Sequence, residues 1–510
     1  MTVFDGLVAE ADTAAGRLSG EVDDALGLCI FRGIPYADPP VGPARFGPPP
    51  PLTAWSGTRS AQRFGPAAIQ ATRVPGGPLA AAFGVPDGEE SEDCLTLNVW
   101  TPGCDEGSRP VLVWVHGGAF RMGSSSAPAY DGSLLAERGD AVVVTLNYRL
   151  GILGFLACEE LGTANAGLAD QIAALEWVQR EIRAFGGDPE RVTVLGESAG
   201  AKSIECLLAA PSARGLFHGA ILQSTYDTPM EPEDGYDHAR RLAAHLGFGP
   251  DEMHRLKEVP AERLMAADAE VVAAAGPPQI GSGGSGPVID GQLLPTSPVH
   301  AIRQGAAVSV PTIIGTTLDE ARLFAALDPS GSGLDEAAAS RRLLELLDAH
   351  PDDNALAEQA AEAYRAEREA RGRDTSPDDL VVDAMTDRMF RQHSIRLAEA
   401  LSGHSTDTWM YLFTWESPAA GGRLGACHAI DIAFAFGTAS AMGELVGDGT
   451  EGLTETVQDL WLTLAHDGAP SSPTIGEWPP YQTTGRATLE LGESPTVLDA
   501  PADAVRMIWQ

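Results

Sequence analysis

The feature that most constrains this chain of 510 residues is the pentapeptide Gly196-Glu197-Ser198-Ala199-Gly200. A β-like run, Arg191 to Leu195, leads into it, and a helix-like run, Ala201 to Leu208, leads away. A strand that turns sharply into a helix is the setting of a G-x-S-x-G nucleophile elbow. The turn is tight, so small residues two before and two after the serine avoid clashes. It lifts the Ser198 hydroxyl out of the sheet edge. The same five letters also occur in ordinary glycine-rich turns. The deciding question is whether the groups such a hydroxyl needs appear elsewhere in the chain, in the expected order.

The first of them precedes the elbow. Val111 to Val115 (VLVWV) reads as a fully buried strand of a parallel sheet. It ends in His116-Gly117-Gly118-Ala119-Phe120, where two glycines leave backbone N–H groups open. The N–H groups of Gly117 and Gly118, with that of Ala199 after the serine, can hold the negative oxygen of a tetrahedral intermediate. The plain alternative is a glycine turn after a strand.

A general base near neutral pH is most simply a histidine. Of eleven histidines, His428 stands out, in the loop-like Gly425-Ala426-Cys427-His428-Ala429-Ile430-Asp431 far beyond the elbow. The acid is expected between serine and histidine. Val310 to Thr317 reads as another buried strand, followed by Leu318-Asp319-Glu320. A carboxylate just past a strand end can orient the histidine and stabilise its imidazolium. Asp319 and Glu320 both qualify, and spacing alone does not choose between them.

With these segments in view, the chain resembles the type-B carboxylesterases, a family that includes bacterial p-nitrobenzyl esterases and the cholinesterases. The likeness runs nearly end to end. It is carried by FRGIPYADPPVGPARF (Phe31 to Phe46), SEDCLTLNVWTP (Ser91 to Pro102), NYRLGILGF (Asn147 to Phe155), the long segment Asn165 to Ala201, PVIDGQLLP (Pro287 to Pro295) and YLFTWESP (Tyr411 to Pro418). The resemblance implies an α/β-hydrolase fold, a large mostly parallel sheet flanked by helices. It implies a serine esterase working through an acyl-enzyme with catalytic residues Ser198, Glu320 and His428. Glu197 then lines the gorge; the alternative is a hydrogen-bonded buried carboxylate. Two ion pairs follow as well, Arg45 with Glu92 and Arg149 with Asp170. The Gly117-Gly118-Ala119-Phe120 form of the oxyanion segment is associated in the family with esters of tertiary alcohols.

Some positions depart from the family pattern. Its DEG is Asp319-Glu320-Ala321 here, and alanine does not supply a positive φ cheaply. Its QSG is Gln223-Ser224-Thr225, where Thr225 adds bulk expected to narrow the substrate pocket on the acyl side. Lys202 sits one turn after Ser198, close to the positive end of a helix; it reads as a solvated surface lysine. Family members from secreted sources pair the cysteine of SEDCL with one about thirty residues earlier. Cys94 is present, but the partner site reads FGPAAIQ (Phe64 to Gln70), so that disulfide is not expected. Its absence fits a reducing compartment, and the six cysteines show no metal spacing. Cys427, beside His428, reads as an inert buried thiol, the alternative being a redox-sensitive one.

Composition narrows partners and location. Lys plus Arg is 34 and Asp plus Glu is 71, a formal net charge of −37. That argues against nucleic acid or an anionic membrane as partner. The N-terminal MTVFDGLVAEADTAAG lacks an apolar core, so a cytoplasmic location is the default. No metal or organic cofactor is required; a small-molecule ester is the expected partner, and a monomer is the default oligomeric state. No linker divides the signatures, so residues 1–510 read as one domain with inserted helical regions near 230–275 and 334–400. A Gly- and Ser-rich loop before Pro287 and an Asp-rich turn from Asp328 are not read as phosphate or calcium sites. Two other functions stay in view: hydrolysis of a lactone, polyester or amide on the same residues, and an inactive binding protein of the family.

Overall fold

Continuous apolar runs build the centre of the molecule, because strands covered on both faces need no polar side. The computed structural model describes residues 8–70, 88–228, 231–274, 286–327, 332–405 and 407–510. Its strands are β1 (Val8–Thr13), β2 (Gly16–Asp23), β3 (Leu28–Pro35), β4 (Thr58–Ser60), β5 (Thr96–Thr101), β6 (Arg109–Val115), β7 (Val142–Leu146), β8 (Gly187–Glu197), β9 (Gly219–Gln223), β10 (Thr312–Thr317), β11 (Thr408–Phe413), β12 (Thr488–Leu491) and β13 (Thr496–Leu498). They form one 13-stranded sheet, ordered β1-β2-β3-β5-β7-β6-β8-β9-β10-β11-β12-β13, with β4 paired beside β2. From β7 through β6, β8, β9, β10 and β11 to β12 every neighbour is parallel. The two ends are antiparallel, apart from β4, which runs parallel to β2.

Alternation along each strand feeds two cores. Val111, Val113 and Val115 of β6 join one, with Leu168, Leu175 and Ile204. Leu112 and Trp114 join the other, with Phe434, Phe436 and Trp461.

The helices that matter for the site can be given in chain order. The three-to-four spacing from Leu168 to Phe185 predicts a helix closed at Gly186-Gly187. The structure has α1 (Ala166–Glu181), then a 3₁₀ turn Ile182–Phe185 ending at Gly186 with φ 72°. Next come α2 (Ala199–Ala209), α3 (Pro232–His245) and α4 (Ala261–Ala274). They are followed by α5 (Glu320–Leu327), α6 (Glu336–Leu346), α7 (Asn354–Ala370), α8 (Pro377–Thr386) and α9 (Gln392–Ser402). A π-helical turn, Asp387–Arg391, joins α8 to α9. Asp335 and Asp353 cap α6 and α7, each accepting a backbone N–H with its side chain. The Gly- and Ser-rich loop and the turn from Asp328 fall mostly outside the described residues. No helix among the described residues is long and apolar enough to cross a membrane.

Candidate active site

The elbow is a strained backbone held by close packing. Ser198 lies between β8 and α2 with φ 55° and ψ −119°. That conformation is unfavourable for a residue with a side chain and survives only where its surroundings enforce it. Ser198 N–H donates to Gln223 O at 2.9 Å. The flanking glycines lie against β6: a methyl group at Gly200 would sit 1.9 Å from Val115 O, and one at Gly196 2.7 Å from it. The glycine segment after β6 comes just as close. A methyl on Gly117 would lie 2.6 Å from Glu197 Oε2 and 3.2 Å from Ser198 Cβ. Gly117 is therefore beside the serine, as an oxyanion donor must be. His116 is held in the wall behind, its ring stacked on Tyr148 at 4.6 Å. Burial pushes its pKa down to about 4.

His428 faces two carboxylates. Nδ1 is 2.5 Å from Glu320 Oε2, and Nε2 is 3.0 Å from Glu197 Oε1. The second contact is an ion-pair contact at hydrogen-bond distance. Burial opposes charge on the ring, but Glu197 and Glu320 outweigh it and push the pKa up to about 10. The ring is walled by Phe390 and Phe324, with centroids 4.7 and 5.2 Å away.

The two candidate acids face different partners. Glu320, the first residue of α5, is fully buried. Its Oε1 accepts from Ser224 Oγ at 2.5 Å and from Thr317 N–H at 2.8 Å. Asp319 points elsewhere, to Arg373 Nη1 at 2.8 Å and Arg322 Nε at 3.1 Å. Ala321 lies inside α5, where no positive φ is needed, and its N–H donates to Thr386 Oγ1 at 3.0 Å. The alanine in place of the family's glycine is thus accommodated by a helix start.

A nucleophile elbow, a glycine segment beside it and a histidine–carboxylate pair can perform acyl transfer. A model of the carboxylesterase family matches residues 8–507. The chain belongs to the carboxylesterase family. It is 37% identical over 502 residues to the para-nitrobenzyl esterase of Bacillus subtilis (strain 168), covering 97% of each chain. It is 36% identical to the phenmedipham hydrolase of Pseudarthrobacter oxydans, covering 95% of each. Among solved structures, the carboxylesterase of Geobacillus stearothermophilus superposes with a TM-score of 0.84 at 36% identity, over 98% of this chain and 100% of that one. The fold is accordingly the α/β-hydrolase fold, and the reaction is hydrolysis of carboxylic esters.

In this carboxylesterase both expected ion pairs are present. Arg45 grips Glu92 through Nε at 2.7 Å and Nη2 at 2.5 Å. Arg149 grips Asp170 through Nε at 2.8 Å and Nη2 at 2.7 Å. All six cysteines are free thiols. Burial pushes Cys427 up to about 12, as suits an unreactive thiol.

One expectation is corrected. Lys202 is not a solvated surface lysine: it is 1% exposed, and its Nζ donates to Glu205 Oε1 at 2.8 Å. Every residue of α2 is buried, so this helix has no wet side for a lysine to reach. Thr225 is also fully buried, and its hydroxyl is donated to Glu205 Oε2 at 2.7 Å.

Several buried polar neighbours of these residues escape sequence reading. Ser224, the donor to Glu320, follows β9 with φ 58°; its only signal is its place at a strand end next to Thr225. Glu205 and His393 lie 188 positions apart yet meet at 2.8 Å. Asp431, one turn past His428, accepts from Gln223 Nε2 and Tyr411 OH, both at 2.9 Å. Burial pushes its carboxyl up to about 7.

Proposed function

We propose that Ser198 is the nucleophile, His428 the base, Glu320 the acid, and that the N–H groups of Gly117, Gly118 and Ala199 hold the oxyanion. The observation that carries this reading is the seat of the His428 ring: Nδ1 is 2.5 Å from Glu320, while Nε2 lies 3.0 Å from Glu197, the neighbour of Ser198. In the first half-reaction His428 Nε2 takes the Ser198 proton as Oγ attacks the ester carbonyl, then returns it to the leaving alcohol. Water repeats the cycle on the acyl-enzyme. Glu320 holds the Nδ1–H tautomer and stabilises the imidazolium. Glu197 adds negative charge beside Nε2.

The substrates are small carboxylic esters with a short acyl chain and a tolerant alcohol side. Support for the acyl limit comes from the place of Thr225, directly after the Ser224 that donates to Glu320, and from its hydroxyl being donated to Glu205. Support for the alcohol side comes from the Gly117-Gly118-Ala119-Phe120 segment, with Ala119 and Phe120 at φ 54° and 59°. Two of the relatives are named for hydrolysis of para-nitrobenzyl esters and of phenmedipham. The six free thiols support a reducing, cytoplasmic compartment, and the net charge of −37 disfavours nucleic acid and anionic membrane.

The test is covalent labelling with a fluorophosphonate, followed by peptide mass mapping. The adduct is expected on Ser198, and Ser198→Ala is expected to lose on the order of a million-fold in kcat. Labelling of another residue, or full activity of the alanine variant, rejects the assignment.

A further inference from the structure

Two residues that break the family's sequence pattern, Lys202 and Thr225, meet on one buried carboxylate. Glu205 Oε1 accepts from Lys202 Nζ at 2.8 Å. Its Oε2 accepts from Thr225 Oγ1 at 2.7 Å and lies 2.8 Å from His393 Nε2. All four residues are at most 2% exposed. Burial opposes the charge on Glu205, but His393 and Lys202 outweigh it and hold the carboxyl down at about 2. The carboxylate is therefore ionised across the working pH range.

Each partner belongs to a different part of the site. Lys202 and Glu205 are one turn apart on α2, whose N-cap is Ser198, and Lys202 N–H donates to Ser198 O at 2.9 Å. Thr225 follows Ser224, the donor to Glu320. His393 is on α9, three residues after Phe390, whose ring packs on His428. The next residue, Ser394, donates to Thr225 O at 3.3 Å, a second tie between α9 and that segment.

Stability alone is a weak reason for such a cluster. A buried ion pair contributes little over apolar side chains of the same volume, and replacing it is often neutral or stabilising. What the charged cluster supplies is direction: each oxygen of Glu205 faces defined donors at fixed distances. A displacement of about 1 Å in a catalytic group costs on the order of a hundred-fold in rate.

We propose that Glu205 is a positioning residue for ester hydrolysis. Its carboxylate locks α2, the Ser224–Thr225 segment and α9 to one another, and so sets the mutual alignment of Ser198, Glu320 and His428. This rests on reading those three as the catalytic residues.

The test measures kcat, KM and Tm with p-nitrophenyl acetate for four variants. Glu205→Gln leaves Lys202 unpaired and is expected to lower Tm as well as kcat. The double variant Lys202→Met/Glu205→Leu removes that ion pair as a unit, so its Tm is expected to fall less than that of Glu205→Gln, although the Thr225 hydroxyl and His393 lose their acceptor. Its kcat is nevertheless expected to fall on the order of ten-fold or more, with KM changed less than about two-fold. His393→Phe is expected to lower kcat similarly. His393→Gln, which keeps an N–H donor for Glu205, is expected to recover most of that loss. A double variant that folds and keeps kcat within about two-fold of the parent overturns the proposal. Should the double variant fail to fold, the histidine pair decides, and equal kcat for His393→Phe and His393→Gln overturns it. Fluorophosphonate labelling of the parent comes first: an adduct away from Ser198 rejects the catalytic assignment itself, which is a different failure from intact alignment without Glu205.

Discussion

Asp319 and Ala426 exchange two hydrogen bonds: Asp319 N–H donates to Ala426 O, and Ala426 N–H donates to Asp319 Oδ2, both at 2.9 Å. This clamp fixes the loop that carries His428, two residues further on. Burial opposes the charge on Asp319, but Arg373 and Arg322 outweigh it and hold the carboxyl below the usual range. Adjacent carboxylates thus have separate tasks, one on the loop and one on the imidazole.

That division predicts different losses. Glu320→Gln is expected to lower kcat on the order of ten-thousand-fold, because a neutral amide neither stabilises the imidazolium nor enforces the tautomer. Asp319→Asn keeps an oxygen for Ala426 N–H but loses its charge against Arg373, so its main cost is expected in Tm. Steady-state kinetics beside thermal melts of the two variants check this. A larger kcat loss for Asp319→Asn exchanges the roles.

The second expectation concerns pH. The base works only when neutral, so kcat/KM is lost as pH falls through the His428 pKa of the free enzyme. Glu197 and Glu320 raise that pKa from the ordinary histidine value to about 10, so the acid limb is expected well on the alkaline side of an unperturbed histidine. Glu197→Gln removes one of the two charges and is expected to move the limb toward lower pH. A limb that stays in place in this variant contradicts a role for Glu197 in tuning His428.

Third, Asp170→Asn is expected to destabilise the fold by about 3–5 kcal/mol, since it leaves the buried Arg149 guanidinium without its charge partner. Denaturant unfolding of variant and parent measures the difference, and a loss well under 1 kcal/mol would contradict the expected cost.

Substrate scope gives the fourth. Across p-nitrophenyl esters, kcat/KM is expected to be highest for short acyl chains. At fixed acetate, linalyl or tert-butyl acetate is expected to be cleaved measurably. Thr225→Gly is expected to shift the acyl optimum toward longer chains. An optimum already at long chains in the parent, or no tertiary-alcohol turnover, removes the roles given to Thr225 and the oxyanion segment.

What the sequence determined by itself is local. The turn at Ser198 must be tight and flanked by glycine, β6 and β7 must be buried on both faces, and α1 must present one apolar side. Those demands are met by neighbours in the chain, through backbone conformation and hydrophobic period. The segments matching the carboxylesterases added the overall fold and pointed to Glu320 and His428. Tertiary structure decided the rest. Asp319 and Glu320 look equivalent by position, and only the direction of each side chain, toward Arg373 or toward His428, separates them. Lys202 is polar by composition, yet α2 is covered on every side and Glu205 neutralises it there. Ser224 meets Glu320, and His393 meets Glu205, across long stretches of chain. Such contacts depend on which helix lies against which strand end, and a buried charge reveals its partner only once the chain has closed around it.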